Sequence, residues 1–404
     1  MYESYTFLLT PRFWAYETAS CWKHEGGVMF FFRRMLFFFL IISAGFAWAQ
    51  QDPDELWADV NEGWGAPYSE LAAHLPENKN FVIWSIIAPK DPLDLRKADN
   101  FRQNVSANGG KTEMSISHNL VAWRCELPDG SHYMGATGDS GETIGQTALM
   151  VKAGWGLTAF LATFTDGWLS TGFQTGGIFE ERSQEEDIYS VAVEVSSQDC
   201  SKMIHFLHQF IYHPNHPYRN FGLRVSPEKF EGAGCVSFAA ALMKKAGVLA
   251  DLFKVSERSL WANVYHFGGN DLPLPENTKV PFIPWRAQKN KKVSIQEFFG
   301  SNWNAGLKGV KLNLIDPELL VWGIKNLSPE LAAFPRKVRH TEEVTNVDHG
   351  PKQVTKMVQI NDQYDKQAAK ASQAARSWKS KMLNQGYHLK KLTLMGQPFL
   401  LFKR

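Results

Sequence analysis

Residues 81–88 read FVIWSIIA, an apolar run ended by Pro89. Its length and its enrichment in Ile, Val and aromatics predict a buried strand, with a short buried helix as the alternative. Residues 188–195, IYSVAVEV, alternate in the way of a second strand. Between them, His118–Leu127 leads through Pro128-Asp129-Gly130 into Ser131–Ala136, and Asp-Gly between strand-like runs predicts a hairpin. If Asp129-Gly130 is a two-residue turn, Leu127 opposes His132 and paired positions sum to 259. Residues 200–212 place Met203, Phe206, Leu207 and Phe210 on one side of a helix that Pro214 and Pro217 stop. Cys235–Ala246 predicts a helix of about three turns, with Lys244 and Lys245 near its end and Gly247 as its C-cap. A further helix starts in DPDELW, where Asp52 or Asp54 could cap it. Residues 135–178, rich in Gly and Thr with interspersed aromatics, suit strands and loops. Near the C-terminus, 353–383 has the pattern of a basic amphipathic helix, and Thr393–Met395 and Phe399–Phe402 look like terminal strand or docking segments. There is no internal repeat, and the mixture predicts an α+β protein.

Residues 29–49 require a different reading. Arg33 and Arg34 precede an apolar run from Met35 to Ala44, and Ala47-Trp48-Ala49 supplies a small-x-small pattern before Gln50. This is the layout of a cleaved secretory signal peptide, and the run is short for a bilayer span of roughly 20 residues. A retained anchor or a buried segment is the alternative. Residues 1–28 would then be an extension from a misassigned start or a long signal n-region. Export to the periplasm or medium, with cleavage near Ala49/Gln50, leaves a mature chain of 355 residues.

That cut changes what composition implies. The whole chain of 404 residues is 44% hydrophobic and carries 43 Lys+Arg against 41 Asp+Glu, which excludes a mainly disordered protein and gives no general case for nucleic-acid binding. Within the mature chain, residues 50–334 carry 25 basic and 33 acidic residues, whereas 335–404 carry 14 and five. Near-neutrality is thus the sum of an acidic body and a basic tail. Of four cysteines, Cys21 departs, leaving Cys125, Cys200 and Cys235, an odd number for an exported protein.

Cys235 follows Glu231-Gly232-Ala233-Gly234 and stands at a helix start, where main-chain N–H groups stabilise a thiolate. The small residues before it would let a substrate carbonyl approach, and a nearby N–H could serve an oxyanion. Packing of a small buried cysteine is the competing explanation. A thiol nucleophile needs a base, and His118, at the outer end of the first hairpin strand, is the candidate. In the 259 register His118 and Asp139 share a face as diagonal neighbours, so Asp139 would orient the imidazole, with Ser140 and Glu142 as fallbacks. His132 lies near the turn, roughly 20 Å along the ladder, and is a poor partner. His205, His208, His213 and His216 are the rival chemistry, a metal site, but Pro214 and Pro217 break the segment and no HExxH exists.

A histidine heading a strand, a polar residue on the next strand and, later, a cysteine starting a helix resembles the circularly permuted NlpC/P60-like branch of papain-like thiol hydrolases. The stretch from Pro217-Tyr-Arg-Asn-Phe through Gly234-Cys235-Val-Ser-Phe-Ala-Ala-Ala-Leu to Ala246-Gly247-Val is similar to the nucleophile segment of that branch. The resemblance covers roughly 117–250, with 140–185 as an insertion. Asn119 and Leu120 depart from the small residues that often surround the family's histidine. It implies a papain-like domain at 117–250 after a lead-in at 50–116, followed by the rest of the body at 251–334 and the tail at 335–404. It also implies Cys235 as nucleophile, His118 as base and Asp139 as the third polar residue, acting without metal or cofactor on a peptide, peptidoglycan-peptide or acyl substrate. Cys125 and Cys200 would then form the structural disulfide. The alternative is a non-catalytic envelope-binding or structural protein. For it the tail helix at 353–383 offers peripheral contact with an anionic envelope surface, against the simpler expectation that this helix packs on the acidic body. Nucleic acid is not expected as a partner.

Overall fold

The computed structural model describes residues 52–88, 98–107, 118–141, 144–185, 187–269, 272–280, 291–304, 309–333 and 351–404, with side chains of 351–365 left aside. The signal-like segment at 29–49 and fallback residue Glu142 lie outside the described residues. Asp52–Arg404 forms one compact unit.

Its centre is a sheet of six strands: β1 (Asn80–Ala88), β2 (His118–Glu126), β3 (His132–Thr137), β4 (Asp187–Val195), β5 (His388–Leu394) and β6 (Gln397–Lys403), ordered β5-β6-β4-β1-β2-β3. All neighbours are antiparallel except β6 and β4. Every residue of the central β1 is buried, which is why its sequence is almost wholly apolar, and the buried Ser85 is hydrogen-bonded to Tyr68 and Ser190. Val82, Trp84 and Ile86, with Val121, Trp123 and Cys125 of β2, face one helical layer. That layer contains α1 (Pro53–Val60), α3 (Ser197–Tyr212), α4 (Cys235–Lys245), α5 (Pro317–Lys325) and α6 (Pro351–Asn384). Phe81, Ile83 and Ile87, with Leu120 and Ala122, face a second layer holding Tyr68, Leu71 and Phe179 of α2 (Gly172–Glu185). The result is a mixed α+β fold whose sheet is covered on both sides.

Local signals account for the helix starts. Asp52 caps α1, its side chain accepting from the Asp54 N–H, and Ser196 caps α3 by accepting from the Asp199 N–H. The segment 140–185 departs from the expected strands and loops. It forms helices Ile144–Ala153 and α2, and its strands, Thr163–Phe164 and Trp168–Leu169, are two residues each. The glycines of α2 lower helix propensity, but burial of Phe179 against the sheet outweighs them.

The hairpin forms with a shifted register. Glu126 pairs with His132 and Val121 with Thr137, so partners sum to 258 rather than 259. The loop is three residues, Pro128-Asp129-Gly130: Gly130 N–H donates to the Leu127 carbonyl, Leu127 N–H to the Ser131 carbonyl, and Gly130 sits at φ +84°. A turn followed by a left-handed glycine is the usual three-residue hairpin, and the Asp129 side chain fixes it by accepting from the Ser131 N–H. The C-terminal strands also form, and β6 completes the sheet by pairing Phe399 with Ser190 through Phe402 with Val193. The acidic body and basic C-terminal segment therefore share one core.

Cys125 of β2 and Cys200 of α3 are joined by a disulfide, with Cα atoms 5.7 Å apart and 75 positions between them in sequence. Cys235 is buried and forms no disulfide among the described residues. In the chain-entropy account, cross-linking a loop of that length stabilises the fold by about 4 kcal/mol. Cys125→Ala should lower the denaturation midpoint accordingly. Non-reducing peptide mapping should find Cys125 linked to Cys200, and a bond to Cys235 would contradict the arrangement.

Candidate functional site

Cys235 is the first residue of α4, directly after Gly234, whose N–H donates to the Ser237 hydroxyl at 2.9 Å while that hydroxyl donates to the Gly234 carbonyl at 3.0 Å. Ser237 thus closes the first turn, and α4 lies across β2 on the first layer. The sulfur there meets the main chain of Asn119. The Asn119 side chain is buried, and its carbonyl oxygen accepts from the Trp84 indole at 2.9 Å. Its amide nitrogen has no hydrogen-bond partner among the described residues.

Asp139 joins this group. Strand β3 ends at Thr137, and Gly138 lies so close to β2 that a Cβ there would stand 2.9 Å from Leu120 Cδ2 and 3.1 Å from the Asn119 carbonyl. Asp139 follows in a short ladder opposite Leu169, and Gly138 N–H donates to Ser170 Oγ at 2.8 Å. The Asp139 carboxyl is 2% exposed, and neither oxygen has a hydrogen-bond partner among the described residues. Burial raises its pKa well above the ordinary carboxylate value.

His118 lies elsewhere. It pairs with Ile87, so alternation sends its side chain to the second layer, and Asn119 is the residue directed at Cys235. Burial, with a smaller contribution from the Arg182 guanidinium of α2, pushes its pKa down to about 4. The expected trio is thereby divided: Cys235 and Asp139 come together, and His118 stands on the opposite face of β2. Half-buried Ser140 pairs with Trp168, while His132 is exposed at the turn end of the ladder.

Three of the four clustered histidines make ring contacts, His216 meeting Tyr218 edge-on. His208 stacks on Tyr212 with centroids 4.3 Å apart, and His213 stacks on Phe230 at 4.7 Å. Among the described residues, no group of three or more His, Cys, Asp or Glu side chains is placed to hold a metal ion.

The electrostatics around the thiol oppose ionisation. Burial and then the Asp139 carboxylate push the Cys235 pKa up to about 12, while the main-chain groups of Val236, Asn119 and Cys235 itself act in the other direction. The helix start therefore does supply stabilising N–H groups, but burial and like charge outweigh them. Asn119 is the site residue that the sequence reading passed over, although a signal was present: it is the polar position on an odd-numbered face otherwise made of Val121, Trp123 and Cys125.

No family model matches this chain, and neither a curated protein nor a solved structure shows a significant match.

A buried carboxyl without partners makes a testable contribution to stability. The folded pKa of Asp139 is raised, so the proton is bound more tightly in the folded chain than in the unfolded one. Stability linked to this proton is complete below about pH 4 and is lost as pH rises through the folded pKa. Asp139→Asn should match the wild type near pH 3.5 and exceed it by about 1–3 kcal/mol at pH 7, as measured by chemical denaturation. Equal stability at both pH values would show that the carboxyl is satisfied.

Proposed function

We propose that this chain is an exported, non-catalytic envelope-binding protein that holds an anionic surface through the basic face of α6. Its scaffold, in this reading, resembles the permuted NlpC/P60-like branch without the working base. The signal-like layout at 29–49 and the Cys125–Cys200 disulfide favour an oxidising, extracytoplasmic setting. Against hydrolysis stand the raised pKa of Cys235 and the position of His118 on the far face of β2.

The observation that carries the binding reading is the segregation of charge on the C-terminal elements. Residues 366–404 contain nine Lys and Arg and no Asp or Glu. Ala368, Ala371, Ala375 and Met382 spend the apolar face of α6 on the core, leaving Lys366, Lys370, Arg376 and Lys381 exposed. Gln373, Ser377, Ser380 and Asn384 share one open stretch of the α6 surface with Arg376 and Lys381. Guanidinium, ammonium, hydroxyl and amide donors together suit phosphate or carboxylate oxygens. The acidic body, with 25 basic against 33 acidic residues in 50–334, would orient the molecule with this face toward a negative surface.

A basic side chain near an anionic surface is worth about 1 kcal/mol. The triple variant Lys366→Gln/Lys370→Gln/Lys381→Gln should therefore weaken binding to anionic vesicles roughly a hundredfold. Raising the salt concentration should weaken the wild type in the same way. Binding indifferent to both changes would contradict the proposal, as would an absence of wild-type binding.

A further inference from the structure

Resting on that reading, we infer that the anionic surface is a lipid bilayer, and that Trp322 is the side chain that enters its interface. On α5, Leu319, Leu320, Val321 and Ile324 are buried, whereas Trp322 is 49% exposed. Its position beside the basic face follows from a chain of hydrogen bonds. Asn326, one turn on, donates from Nδ2 to the Trp322 carbonyl at 2.9 Å, and Asn326 Oδ1 accepts from Arg376 Nη1 at 3.2 Å. Leu383, seven residues after Arg376 and so on the same face of α6, is 41% exposed. Two large apolar side chains thus flank the guanidinium on a surface that is otherwise basic and polar.

The combination distinguishes a bilayer from a soluble polyanion. Lys366, Lys370 and Lys381 would serve either partner, since both present negative oxygens. An exposed indole gains nothing from a hydrated polymer, but at a membrane its apolar body leaves water while its N–H stays among the headgroups. Basic residues around an exposed Trp and Leu are the composition of a surface that lies on anionic lipid without crossing it. No helix among the described residues is long and apolar enough to span a membrane.

The test uses the full chain with three probes: vesicles of mixed phosphatidylglycerol and phosphatidylcholine, vesicles of phosphatidylcholine alone, and soluble polyphosphate. Trp322→Ala should lower partitioning onto the mixed vesicles about tenfold, the order expected when part of an aromatic ring no longer leaves water. It should leave polyphosphate affinity unchanged, and Trp322→Phe should recover most of the vesicle binding. An unchanged thermal midpoint for both variants confirms that the fold is intact. Equal vesicle binding by wild type and Trp322→Ala would overturn the inference, as would a loss of the same size on polyphosphate. Wild-type binding to polyphosphate but not to mixed vesicles would also overturn it while leaving the charge reading standing. Failure of the wild type to bind either anionic probe would overturn the charge reading itself.

Discussion

Strand β2 is buried on both faces, so each successive side chain is committed to a different layer of the molecule. That constraint governs the chemistry available at α4. His118, Leu120 and Ala122 belong to the layer of Tyr68 and α2, while Asn119, Val121, Trp123 and Cys125 belong to the layer of α3 and α4. Cys125 is then in position for its bond to Cys200, which ties β2 to the start of α3. With β2 fixed by this bond and by β1 along its length, a histidine at 118 has no route to the sulfur that does not invert the strand.

The thiol environment follows from the same placement. A helix start and three main-chain groups would ordinarily produce a reactive cysteine, and the sequence around Gly234-Cys235 carries that signature. Burial and Asp139 reverse it. Among the described residues, the charged neighbour that bears on the sulfur is an acid, Asp139. The exposed chemistry has moved to the C-terminal elements, where the apolar side of α6 is used internally and the basic side is left outward.

Much of the architecture was legible from pattern alone. The run 81–88, the alternation at 188–195, the helix at 200–212 and the helix from Cys235 all reflect burial on a defined face, and each forms. The errors came from features that pattern does not encode. Pro128-Asp129-Gly130 fits a two-residue or a three-residue loop equally well, yet the difference of one residue moves Asp139 from the face of His118 to that of Asn119. Helix α2 has little local propensity and is held by Phe179, which packs on the sheet, whereas Ile144–Ala153 packs through Met150 against Trp155 and Phe164. The last strand reads as terminal, but only long-range pairing with β4 shows that it completes the central sheet. Cys235 and Asp139 lie beside Gly234 and Gly138 and come together on the Asn119 side of β2, whereas alternation along β2 puts His118 on the other side.

The most direct test of this account is the alkylation rate of Cys235 against pH, compared between the wild type and His118→Ala. A thiol whose pKa is about 12 should react slowly at neutral pH, with a rate that rises without a plateau to pH 10 and is the same in both proteins. A rate that levels off below pH 7 in the wild type, and loses that plateau in His118→Ala, would show a thiolate–imidazolium pair and contradict it.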